Sequence, residues 1–135
     1  VRLIQILATW CPNCRDETRF LVEMLKDYED QPVEVIGLAF EKRAPETAWE
    51  GIQTYRERMN IPYEILYAGP ADKQRAAQMF PMLNHVLAFP TLIIMDKKGE
   101  VRRIHTGFSG PATSEYQSFQ QKFTRLLDEL LQESE

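Results

Sequence analysis

The sequence predicts an α/β domain in which a central mixed sheet of about five strands is flanked by helices. Three observations lead there. Leu3–Ala8 and Val33–Phe40 are apolar runs of strand length, separated by the helical stripe Phe20, Leu21, Met24, Leu25 and Tyr28. That order makes a parallel pair with a right-handed crossover. Thr91–Met95, the turn Asp96–Gly99 and Val101–Thr106 form the clearest hairpin signal in the chain, with Gly99 where a positive φ is needed. Finally, Tyr116, Phe119, Phe123, Leu126, Leu127, Leu130 and Leu131 mark a long amphipathic C-terminal helix, frayed only over Gln132–Glu135.

The segments between follow in order. Asp27–Pro32 is polar and turn-like, and the charged run Glu41–Glu46 ends the second strand. Pro45 suits a helix start, from which Trp49, Ile52, Tyr55 and Met59 keep helical spacing until Asn60-Ile61-Pro62 breaks it. Tyr63–Tyr67 is a short strand placed near a sheet edge by its neighbouring proline. Gly69-Pro70 is read as a turn, and Ala71–Leu83 as a further helix that Pro81 kinks or ends early.

With 135 residues, no internal repeat and no low-complexity linker, the chain is expected to be one domain over residues 1–135. That length can bury about two-thirds of the extended-chain surface. Its 44% hydrophobic content is ordinary for a globular protein. The net charge of −4 argues against nucleic acid as a partner. No apolar stretch is long enough to span a bilayer. Val1 and Arg2 run straight into the first strand, so the chain is expected to be a processed or cut form, from which any leader there was has been removed.

The chemistry gathers at Thr9-Trp10-Cys11-Pro12-Asn13-Cys14-Arg15, where the first strand hands over to the first helix. A helix start presents unpaired N–H groups and the positive end of the helix dipole, and both favour an anion. A thiolate at Cys11 would be that anion, and thiolate is the form that attacks disulfides. Cys14 lies one helical turn on, placed to close a small disulfide ring. With two cysteines only, a closed zinc site lacks its ligands. A bridge spanning two residues constrains the unfolded chain too little to be structural. Redox exchange remains, with Cys11 attacking and Cys14 resolving. Pro12 rigidifies the turn, and Trp10 by itself is equally a packing or a substrate-facing residue.

The order strand, Cys-x-x-Cys helix, strand, inserted helix and strand, hairpin and final helix resembles the thioredoxin fold. Ala8–Cys14, together with Phe89-Pro90-Thr91 through Asp96–Gly99 to His105–Phe108, resembles the TlpA/ResA-type extracytoplasmic thiol-disulfide oxidoreductases. The insertion between the second strand and the hairpin belongs to the same branch. The resemblance implies an enzyme that reduces protein disulfides outside the cytoplasm, in a periplasm or its equivalent. Its partners would be a disulfide-containing protein substrate and a membrane-bound electron donor, and it would need no cofactor and no metal. It further implies that Trp10 packs beside the site and that Pro12 and Asn13 tune the redox potential. Pro90, which alone would be read as a trans proline opening an edge strand, becomes a cis-proline facing the cysteines. The Phe89 backbone is thereby left to pair with a substrate strand. The chain is expected to act as a monomer.

Two positions depart from thioredoxin itself. Gln5 stands where thioredoxin buries an Asp for proton transfer, and an amide cannot act as a base. Glu41 matches, in order and context, a carboxylate that this branch uses instead, but it is equally an ordinary solvated turn residue. Two other functions compete with disulfide exchange. A Sco-like copper module would need His85 beside the cysteines and uses a Cys-x-x-x-Cys spacing. A peroxiredoxin-type (AhpC/TSA) peroxidase needs a Pro-x-x-x-Thr-x-x-Cys segment, and residues 1–10 contain no proline. His85 and His105 are otherwise expected at the surface.

Overall fold

A computed structural model describes residues 1–71 and 89–134. The helix expected over Ala71–Leu83 lies outside the described residues but for Ala71, as do the break at Pro81 and His85. The chain runs β1 (Arg2–Leu7), α1 (Pro12–Asp27), β2 (Glu34–Glu41), α2 (Pro45–Arg58), β3 (Glu64–Pro70), β4 (Thr91–Met95), β5 (Val101–Thr106) and α3 (Glu115–Gln132). The strands form one sheet in the order β3-β2-β1-β4-β5. β1, β2 and β3 pair in parallel, whereas β4 runs antiparallel to both β1 and β5. This is the expected mixed sheet, with α2 and β3 as the insertion before the hairpin.

Because β1 is central, both of its faces are covered, and four of its six residues are apolar. Leu3 and Leu7 face the larger core, which also holds Phe20, Leu21 and Met24 of α1, Ile52 of α2, and Phe123, Leu127 and Leu130 of α3. Ile6 faces the other way, against Phe40 and Ile93. Both parallel crossovers step in the same direction across the sheet, so their right-handedness puts α1 and α2 on one side. An aromatic cluster fixes α3 over α1: Phe20 meets Phe119 and Phe123, each with ring centroids 5.1 Å apart.

Two expectations fail here. Gly69 and Pro70 are not a turn but the last residues of β3, paired with Phe40 and Glu41. β3 is an edge strand, so the N–H that Pro70 lacks is not needed. Gly69, at φ 150°, lies just past the register shift between Ala39 and Phe40. Trp49, counted with the apolar stripe of α2, is 46% exposed. Ala48 takes the buried place one position earlier, since α2 turns only Ala48, Ile52 and Tyr55 fully inward.

Gly37 is required by close packing between β1 and β3. A Cβ there would stand 2.9 Å from Ile65 Cγ1 and 3.3 Å from Leu7 Cδ2. Gly37→Ala is therefore expected to lower the unfolding free energy by about 1–3 kcal/mol in a urea titration. A change under about 0.5 kcal/mol, the range of surface substitutions, would contradict this.

Candidate functional site

The site forms where β1 ends and α1 begins. Cys11 is the N-cap of α1, with φ −91° and ψ 117°. Its Sγ accepts the backbone N–H of Cys14 at 3.3 Å, as a serine or aspartate oxygen would at this position. Its own N–H donates to Ala8 O at 3.1 Å, and its carbonyl accepts from Arg15 N at 3.2 Å. Pro12 opens the helix, where its missing N–H leaves no bond unmade. The first turn carries no acidic residue, so nothing there offsets the positive end of the dipole.

The two cysteines are free thiols. Cys11 is the more accessible, but narrowly: 7% exposed against 0% for Cys14. The expected difference in exposure is small because the Phe89 segment lies over Cys11, whose thiol donates to Phe89 O at 3.6 Å. The Phe89–Pro90 peptide is cis, and Pro90 O accepts the N–H of Gly107 at 2.7 Å. Phe89 is held between the Trp10 edge, with centroids 6.2 Å apart, and a stacked Phe40 at 6.0 Å. Trp10 is 43% exposed, and Lys42 Nζ sits 4.0 Å above its ring. Pro12 and Asn13 are exposed on the same rim.

Behind Cys11 the surroundings turn apolar. Burial first, then the hydrogen bond and charge of Cys11, and last the carboxyl of Glu17, hold the Cys14 thiol well above the ordinary cysteine range.

Glu17 is the residue the sequence analysis missed. It is wholly buried, and neither carboxyl oxygen has a hydrogen-bond partner among the described residues. Burial pushes its carboxyl up to about 8, with the nearby Gln5 amide acting weakly in the other direction. The Gln5 side chain is engaged elsewhere: its N–H donates to Thr18 Oγ1 at 3.0 Å and its carbonyl accepts the Tyr63 hydroxyl at 2.9 Å. Thr18 Oγ1 is in turn 3.0 Å from the Tyr55 hydroxyl. A signal for Glu17 was present, because Cys14, Glu17, Leu21 and Met24 share the buried face of α1. A carboxylate inside an apolar stripe is the anomaly to look for.

Glu41 is not a solvated turn residue. It is the last residue of β2, 4% exposed, and Oε1 accepts the Thr9 backbone N–H at 2.9 Å. The parallel register places the end of β2 beside the end of β1, which explains how a residue at the head of a charged run becomes buried. Among the described residues, no three of His, Cys, Asp and Glu gather as a metal-ligand cluster. His105 is half-buried and packs its ring on Phe119 at 4.5 Å instead of lying free at the surface.

Comparison with known proteins gives a consistent picture. A sequence profile described as the AhpC/TSA family matches residues 2–104. The thioredoxin-like protein YneN of Bacillus subtilis (strain 168) is 27% identical over 105 residues, covering 78% of this chain and 55% of YneN. The thiol-disulfide oxidoreductase ResA of Geobacillus kaustophilus (strain HTA426) is 30% identical over 100 residues, covering 74% of this chain and 51% of ResA. The chain thus spans about half the length of these relatives. Among solved structures, a thiol-disulfide isomerase from Corynebacterium glutamicum has a TM-score of 0.73 at 19% identity, covering 98% of this chain and 81% of that one. A thioredoxin-family thiol:disulfide interchange protein from Chlorobium tepidum TLS gives 0.71 at 19%, covering 96% and 79%. At such identity these matches show the fold, which is thioredoxin-like. No described helix is long and apolar enough to cross a membrane.

Proposed function

The chain belongs to the AhpC/TSA family, and from that premise we propose that it is a protein dithiol-disulfide oxidoreductase acting through Cys11 and Cys14. One observation carries the reading: two free thiols share a helix N-terminus, the outer one capping the helix and touching the Phe89 carbonyl. In the proposed reaction the Cys11 thiolate attacks one sulfur of a substrate disulfide and expels the other as a thiolate. Cys14 then loses its proton and attacks Cys11 Sγ. The substrate leaves with both sulfurs reduced, and the protein keeps the two-electron oxidation as a Cys11–Cys14 disulfide.

The remaining residues take roles by position. Phe89 offers its backbone to an extended substrate segment beside Cys11, with Pro90 behind it and Trp10, Pro12 and Asn13 forming the rim. Glu17, on the same buried face of α1 as Cys14, can take the proton that Cys14 must give up only once it has ionised, at about 8. Glu41 is a positioning residue that anchors the Thr9 backbone two residues before Cys11. In this reading the protein acts as a monomeric reductant outside the cytoplasm, on protein substrates, and is recharged by a membrane-bound dithiol donor. Support for that placement is the likeness to TlpA/ResA-type proteins. The peroxidase reading gains nothing from the family's description, since the relatives matched are named a thioredoxin-like protein and thiol-disulfide oxidoreductases.

Brief iodoacetamide treatment of the reduced protein tests the core of this. Cys11 is expected to alkylate at least about tenfold faster than Cys14, because only its sulfur combines access with a helix N-terminus. Alkylation of both at the rate of an ordinary free cysteine would remove the assignment.

A further inference from the structure

The exchange reading leaves unused a groove that starts at Trp10 and Thr9 and runs away from Cys11 between α1, the end of β2 and α2. Its volume is about 830 Å³. Arg15 and Arg19 come from α1, Lys42 and Arg43 from the segment after β2, and Arg58 from α2, against only two carboxylates, Glu41 and Glu50. Glu41 is engaged with the Thr9 N–H. Of the five cations, Arg19 alone has an ion pair among the described residues, at 3.5 Å to Asp16. Lys42 lies over the Trp10 ring.

This concentration runs against the overall charge of the chain, which is −4. Gathered cations repel one another, so the arrangement is not one that folding itself would select. Gly51 adds a second observation. It lies in the interior of α2 and lines the groove, and a Cβ there would meet only Arg43 Nη1 at an ordinary 3.9 Å. Internal packing does not demand glycine at that point, and helix propensity disfavours it. The missing side chain leaves space at this point of the groove wall.

We propose that this groove seats an acidic segment of the substrate protein, flanking the disulfide presented to Cys11. The proposal rests on the exchange reading and extends it to the kind of partner. A cleft lined by one sign of charge focuses its field and raises the encounter rate of the opposite charge. Because the groove begins at Trp10, a segment drawn into it would bring its neighbouring disulfide to the redox site.

The test uses three peptides with the same intramolecular disulfide, flanked by runs of Asp, Ser or Lys. Each is mixed with the pre-reduced full chain, and the second-order rate constant for oxidation of the protein is measured. At about 0.01 M ionic strength, where the screening length is about 30 Å, the Asp peptide is expected to react at least about tenfold faster than the Lys peptide, with Ser between. At about 1 M salt, with screening over about 3 Å, the three should converge. The Arg43→Glu/Arg58→Glu double variant is expected to erase or invert the order, whereas Arg125→Glu, on the exposed side of α3, should keep it. Equal rate constants for all three peptides at low salt overturn the groove assignment and leave the exchange reading standing. An order that survives the charge reversal also overturns it. If none of the peptides oxidises the protein, the exchange reading falls and takes the groove with it. The salt series on the unmodified chain decides the matter even if the double variant does not fold.

Discussion

Cys11→Ser is expected to abolish reduction of disulfide substrates, and Cys14→Ser to leave the protein stalled on its substrate as a covalent adduct. The first variant keeps the N-cap, since a serine hydroxyl accepts the Cys14 N–H as the sulfur does, but it has no nucleophile. A fall of at least about a thousandfold in the rate of substrate reduction follows, the scale seen when a nucleophile is removed. The second keeps the attacking sulfur and loses the one that resolves. Intact-protein mass spectrometry after mixing with a peptide disulfide should show Cys14→Ser shifted by the mass of one peptide, while the parent chain returns to its own mass less two hydrogens. Adduct formation on Cys11→Ser would reverse the roles of the two cysteines. Loss of cooperative unfolding in either variant would instead point to a structural part for the pair.

Glu17→Gln is expected to change how stability depends on pH. Unfolded, this carboxyl ionises at its ordinary value of 4.5; folded, burial moves ionisation to about 8. Between those values the folded chain holds a proton that the unfolded chain releases. Stability from this group is therefore fully present below the unfolded value and is lost as pH rises through the folded one. The full span amounts to about 5 kcal/mol at most. His105 acts with the opposite sign, because burial, and then the charge of Arg103, oppose its protonation. The difference between variant and parent isolates Glu17 from it. Urea unfolding at about pH 5 and about pH 9 should show the parent losing several kcal/mol more than Glu17→Gln. Equal losses would mean that the carboxyl is not held neutral by the fold. Above about pH 8, where the parent carboxyl is ionised, the same variant should prolong the mixed disulfide, since an amide cannot accept the Cys14 proton; a delay confined to that range separates a chemical role from a structural one.

The local half of this structure was legible in the residues. Apolar runs placed β1, β2 and the β4–β5 hairpin, and the Cys11–Cys14 spacing marked the strand-to-helix junction at which the candidate site lies. What escaped was decided by distant packing. β3 continues through Gly69 and Pro70 because β2 lies alongside it, and no turn rule contains that information. Glu41 and Glu17 are carboxylates that became buried through their neighbours. One is closed over by the parallel register of β1 and β2, and the other lies on the inward face of α1. Trp49 went the other way, since helical spacing alone does not say which edge of a stripe the sheet will cover.

The file of side chains running Tyr63, Gln5, Thr18, Tyr55 joins the segment just before β3, the central strand and two helices through the interior. Its members depend on one another: Gln5→Leu would take from the Tyr63 hydroxyl its acceptor and leave Thr18 only its bond to Tyr55, and an orphaned buried hydroxyl is heavily penalised. A descendant of this chain that loses Gln5 must therefore lose the Tyr63 hydroxyl with it or carry an unpaired phenol in its interior.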